Sequence, residues 1–150
     1  MEAALNLARL SAEEDEVPVG AVVVRNGEIV GEGRNRREKD KTAVAHAEIE
    51  AIENACRKLG GWRLRECELY VTLEPCPMCA GAIINSRIKR VVFGAYDPKA
   101  GSCGSVINLF ELPYNHKPPV EGCFMQEECS KLQTVFFADM RKRLSGKTKR

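Results

Sequence analysis

No stretch of this 150-residue sequence stays apolar for the ~18 residues that a membrane helix needs, so no membrane span is expected. Internal repeats and low-complexity tracts are also absent, which argues against a solenoid or a linker-rich chain. Met1 to Leu10 lacks the basic start and cleavage site of a secretory signal, and a cytoplasmic protein is expected. Nor do the cysteines pair off. Seven is an odd number, which argues against a disulfide scaffold and for a reducing compartment. What remains is ordinary: 44% hydrophobic and 29% charged residues, on a length that suits one domain and is short for two.

Charge is less evenly spread than the net +2 implies. Arg141, Lys142, Arg143, Lys147, Lys149 and Arg150 fall in the last ten residues without an acid, so the body carries −4. A basic end on a mildly acidic body fits a polyanionic partner such as RNA. A domain over 1–143 with a flexible basic tail over 144–150 is the expected organisation.

Periodicity supplies the elements. Residues 2–14 read as a helix, and 20–24 with 28–33 as a hairpin turning at Asn26-Gly27. A helix is expected over about 45–59, stopped by Gly60-Gly61, then a strand through Leu69, Val71 and Leu73. A second helix should start at Cys76 with Pro77 in its first turn, followed by a short strand from Lys89 to Gly94. A glycine- and proline-rich loop over 94–118 and an amphipathic helix over about 126–143 complete the chain. Strands alternating with helices in this order indicate an α/β layer fold around one sheet.

Five cysteines (Cys56, Cys67, Cys103, Cys123, Cys129) are scattered, and small apolar or idle thiols are expected there. Cys76 and Cys79 differ. Three apart on a helix, they share a face, and at its start the helix dipole favours the thiolate. With His46 they offer three ligands, a set that suits zinc with its fourth tetrahedral position left to water. Glu48, two residues from the histidine, would move protons beside it. His46 and Glu48 reach one site only if they lie in a helix's first turn, entered from a loop. A structural zinc closed by His116 or Cys103 as fourth ligand stays open at this point, since a lone C-x-x-C is weak.

The pairing of His46-Ala47-Glu48 with Pro75-Cys76-Pro77-Met78-Cys79 carries the known signature of the zinc-dependent nucleobase deaminases. Longer segments (16–24, 31–36, 72–83, 86–105 and 114–116) resemble the bacterial tRNA-specific adenosine deaminase group of the cytidine/deoxycytidylate deaminase superfamily. That resemblance implies a three-layer α/β/α fold with a central mixed five-stranded sheet, one Zn²⁺ per subunit and a homodimer. It implies hydrolysis of the wobble adenosine of a tRNA anticodon to inosine, with release of ammonia. His46, Cys76 and Cys79 match the zinc ligands and Glu48 the general acid/base. Asn35 matches the residue holding the purine edge, Val17 and Pro18 an apolar wall, and Ala47 and Pro75 flank the metal. Asp97, Lys99, Ser102 and Asn115 match an RNA-contacting segment, and Phe136 with Phe137 a closing helix against the anticodon stem-loop.

The chain departs from that group at Lys41-Thr42-Ala43-Val44-Ala45, where Asp-Pro-Thr-Ala is usual, at Arg34, where an aromatic is common, and at Cys103. Two alternatives share the metal site. One is deamination of a free nucleobase or nucleotide such as cytosine, cytidylate or guanine. The other is a zinc-stabilised RNA-binding module without catalysis, against which Glu48 stands.

Overall fold

Asn26 and Gly27 both take positive φ, 50° and 77°, as the tightest hairpin turn requires. The turn joins β1 (Gly20–Arg25) to β2 (Glu28–Arg34), where the sequence places it. In this computed structural model, which describes residues 1–147, three further strands complete the sheet. They are β3 (Cys67–Leu73), β4 (Arg90–Ala95) and β5 (Val120–Glu121). The order is β2-β1-β3-β4-β5, antiparallel from β2 to β3 and parallel from β3 to β5. The mixed five-stranded sheet is the one expected.

Two helix layers cover it. α1 (Glu2–Glu13) and α5 (Gln126–Lys147) pack on one face; α3 (Ala47–Leu59) and α4 (Pro77–Asn85) pack on the other. β4 is buried on both sides and reads as a near-continuous apolar run, as parallel pairing favours, whereas β3 alternates buried and half-buried residues. Small residues set the layer spacing on the α3 side. Gly31 and Gly33 of β2 face Ala47, Ala51 and Ala55, and a methyl group at Gly33 would lie 2.0 Å from the Ala47 carbonyl oxygen. The first turn of α3 is thus held directly against the sheet. At its other end Gly60 adopts φ 75° and closes the helix, as Gly60-Gly61 indicated.

Several boundaries differ from expectation. The charged stretch after β2 contains one turn of helix, α2 (Arg37–Asp40), ended by Lys41 at φ 52°. The Arg36 N–H donates to the Ala45 carbonyl at 3.0 Å, pinching this loop at its base and tying the residue after Asn35 to the residue before His46. The 94–118 segment is not all loop. β4 runs into it as far as Ala95, a 3-10 turn occupies Leu109–Glu111, and β5 follows directly. β5 is short and preceded by Pro118-Pro119, so it has no alternating run to read. The last helix continues through Lys147, past the expected end near 143, and buries only Cys129 and Phe136 among its described residues. The remainder of the expected tail, 148–150, lies outside the described residues. Among the described residues no helix is long and apolar enough to cross a membrane.

Candidate active site

Two helix N-termini meet at the carboxyl end of β3. His46 caps α3 in an extended conformation (φ −86°, ψ 152°), and Cys76 caps α4 in another (φ −76°, ψ 175°). Because His46 stands outside the helix and Glu48 inside it, residues two apart turn toward one place. Pro77 fills the first helical position, where a missing N–H costs nothing, and Cys79 follows on the face of Cys76. The helix therefore begins one residue later than expected, with Cys76 as its cap.

The His46 Nδ1 atom lies 3.6 Å from Cys76 Sγ and 3.5 Å from Cys79 Sγ. All three ligand atoms lie within 4.8 Å of one another. A tetrahedral zinc with ordinary Zn–S and Zn–N bonds has an N···S edge of about 3.6 Å, so the donor set fits zinc in kind and spacing. It is a three-ligand set: His116 turns its Nε2 to the Ile88 carbonyl at 2.6 Å, and Cys103 stands outside the group. That removes the closed structural site considered from the sequence.

Electrostatics agree. Hydrogen bonding from Cys79, then from His46, holds the Cys76 thiol down to about 4. Its bond to Cys76, together with burial, holds Cys79 far above the ordinary thiol range. The bond to Cys76 raises His46 against the lowering effect of burial. The positive ends of α3 and α4 favour the thiolate forms with which Cys76 and Cys79 would hold a divalent metal. Glu48 is buried, and that burial raises its carboxyl above the usual range, while the bond with Cys79 pulls it back. A carboxyl group raised this way is suited to give as well as take protons.

These groups open into a cavity of about 700 Å³. Of the residues singled out from the sequence, Val17, Asn35, His46, Ala47, Glu48, Cys76, Asp97 and Lys99 line it. Cys79 is fully buried beneath. Pro18, Pro75, Ser102 and Asn115 do not line it. The Pro18 carbonyl accepts from Gln133 Nε2, Ser102 is buried with its N–H on the Pro75 carbonyl at 2.8 Å, and Asn115 is exposed. Phe136 and Phe137 part company: Phe137 lines the cavity, whereas Phe136 is buried.

Asn35 does two jobs with one side chain. Its Nδ2 donates to the Val17 carbonyl at 3.0 Å, and its Oδ1 accepts from the Arg37 N–H at 3.2 Å. One amide hydrogen and one oxygen lone pair stay available for a ligand. Sequence reasoning missed other lining residues. Gln133 and Arg141 join the already expected Phe137 at successive intervals of four on α5, a spacing readable as one helix face. Arg37, Lys99 and Arg141 put three exposed cations around an opening whose floor is acidic. Glu74 and Tyr96 have no periodic signal and emerge only in the structure.

The family profile of the cytidine and deoxycytidylate deaminase zinc-binding region matches residues 1–95. A tRNA-specific adenosine deaminase of Bacillus subtilis is 48% identical over 144 residues, covering 95% of this chain and 89% of the relative. A solved structure from a study of A-to-I editing by tRNA:A34 deaminases at the wobble position superposes with a TM-score of 0.85. It is 44% identical, covering 88% of this chain and 96% of that one. A guanine deaminase from Nitrosomonas europaea reaches a TM-score of 0.81 at 26% identity, over 91% of this chain and 82% of that one.

Proposed function

This chain belongs to the cytidine and deoxycytidylate deaminase family, and from that premise we propose that it converts the wobble adenosine of a tRNA anticodon to inosine. It is a zinc-dependent hydrolase that releases ammonia. The observation that carries the reading is the meeting of His46, Cys76 and Cys79 with the buried Glu48 at one end of a cavity. Identity favours the tRNA reading over the free-base one: 48% to the tRNA-specific relative against 26% and 34% to two guanine deaminases.

His46, Cys76 and Cys79 would hold one zinc ion, which when bound supplies Lewis-acid activation of a water molecule. The chain's own residues do the rest. Unpaired loop bases are cheaper to splay out than paired ones, and the cavity receives one such base. Asn35 meets the purine edge with its spare donor and acceptor, while Val17 and Ala47 supply apolar wall. Glu48 takes the proton of the attacking water as the C6–O bond forms. It delivers that proton to the ring nitrogen, then moves the remaining proton of the new C6 hydroxyl to the amine, and the C6–N bond breaks with ammonia leaving. Arg37, Lys99 and Arg141 at the rim suit the phosphates of the flanking nucleotides.

Cytoplasmic location and assembly as a homodimer belong to the same proposal. Presenting the purified protein with an anticodon stem-loop and with free adenosine, cytidine and guanine tests it. Inosine in the stem-loop at a far higher kcat/KM than any free-base product supports the reading. Faster turnover of a free base would replace it.

A further inference from the structure

Glu74 closes β3 just before Pro75-Cys76, and its side chain is almost wholly buried. Its Oε1 accepts from the Asp97 N–H at 3.1 Å and from the Ser105 hydroxyl at 2.5 Å. Its Oε2 accepts from the Cys103 N–H at 3.0 Å and the Ser105 N–H at 3.1 Å. The segment from 97 to 105 is therefore wrapped around one carboxylate. The fit is close enough that a methyl group at Gly101 would lie 2.3 Å from it. The main chain on either side reinforces the wrap. Glu74 N–H donates to the Ala95 carbonyl and Ser102 N–H to the Pro75 carbonyl, each at 2.8 Å.

The outward face of this segment is the rim of the cavity. Asp97 spends its Oδ1 on the N–H groups of Lys99 and Ala100, at 3.1 and 3.4 Å, making the turn on which Lys99 projects. Tyr96, about half exposed, stands beside it with its ring edge-on to Phe93 at 5.4 Å between centroids. Lys99 is carried by this turn, and the turn is held by Glu74. The main chain of Tyr96 enters the same turn, while its side chain is held by Phe93 and by a hydrogen bond with Cys123. The same residue sits on the connection that delivers Cys76 to the metal cluster, so it sets the rim in register with the reacting centre.

We infer that Glu74 is a positioning residue for polynucleotide binding: it holds the turn that carries Lys99 where the flanking nucleotides of the substrate must land. This rests on the tRNA reading above. Its effect falls on affinity, since none of its four acceptor contacts goes to the metal ligands or to Glu48.

Glu74→Gln keeps the size of the side chain but turns an acceptor oxygen into a donor that must face N–H or O–H groups. Hydrogen exchange without substrate tests the clamp by itself. The amides of 97, 103 and 105 should exchange about tenfold faster or more in the variant, with those of α4 unchanged. Unchanged exchange at 97–105 overturns the proposal whatever the substrate proves to be. On an anticodon stem-loop, KM should rise about tenfold with kcat within about threefold and zinc still one per chain. A loss carried by kcat with KM unchanged also overturns it. Combined with Lys99→Ala, the effects on KM should fall well short of additive, and full additivity contradicts the coupling. If Glu74→Gln does not fold, Ser105→Ala removes one loop donor and carries the test. KM should then rise about two- to fivefold, and a KM equal to that of the parent overturns the proposal.

Discussion

Gly33→Ala reaches the active site from behind, without touching a metal ligand or Glu48. The added methyl would lie 2.0 Å from the Ala47 carbonyl oxygen and 2.6 Å from the Ala51 nitrogen. Ordinary contact needs about 3.5 Å, so one side must retreat by at least about 1 Å. β2 cannot easily do so, because Gly33 is paired with Ala21 of β1 in a ladder continuous with β3. The first turn of α3 must move instead, and it carries His46 and Glu48. The Nδ1-to-sulfur distances of 3.5 and 3.6 Å would then change by several times the ~0.2 Å that a zinc site tolerates. Overpacking of this kind costs about 1–3 kcal/mol, or roughly 3–10 °C in Tm for a chain this size. A misplacement of about 1 Å at a reacting centre costs about 10²-fold in rate. Chelator competition for zinc, thermal denaturation and single-turnover deamination of a stem-loop would measure the three effects. A folded Gly33→Ala protein with parental zinc affinity and parental rate would refute the claim that β2 sets the position of the site.

Three other outcomes are expected. Glu48→Ala should keep zinc at one per chain while turnover falls by about 10²–10⁴-fold, and a rate within about tenfold of the parent would remove the proton-transfer role. Asn35→Ala should lower kcat/KM on a stem-loop, and an unchanged value would leave Asn35 as a turn residue holding Val17 and Arg37. Alkylation at neutral pH followed by peptide mass spectrometry should find exposed Cys123 modified early. Burial pushes Cys103 and Cys129 up to about 12 and about 11, so both remain slow-reacting thiols at that pH. Cys76, held down to about 4, should label rapidly once zinc is stripped and be protected when zinc is present. Rapid labelling of Cys103, or indifference of Cys76 to zinc, would contradict these assignments.

The parts of the molecule legible in the sequence are those with a period or a short motif. Asn26-Gly27 fixed a hairpin, Gly60 a helix end, and the i, i+3 spacing of Cys76 and Cys79 a shared helix face. The requirement that His46 and Glu48 sit at a helix entrance followed from their i, i+2 spacing, and His46 is the N-cap of α3. Tertiary closure was not legible. Glu74 looks like any acid ahead of a proline until its four donors, all more than twenty positions away, are folded around it. Ser102 was grouped with RNA-contacting residues by its place in a segment, yet it is buried and tied to the Pro75 carbonyl. α5 has few buried residues because one side of it walls the cavity, through Gln133, Phe137 and Arg141, so an apolar stripe was the wrong thing to seek.

Hydrolytic deamination of a wobble adenosine can be followed in a single reaction. A tRNA whose anticodon begins with adenosine is incubated with the zinc-loaded protein in heavy-oxygen water, digested, and its nucleosides identified by mass. Inosine should form at the wobble position alone, with the heavy oxygen at C6 and ammonia released in equal amount. An unmodified wobble adenosine, with other residues or free bases deaminated in its place, would contradict it.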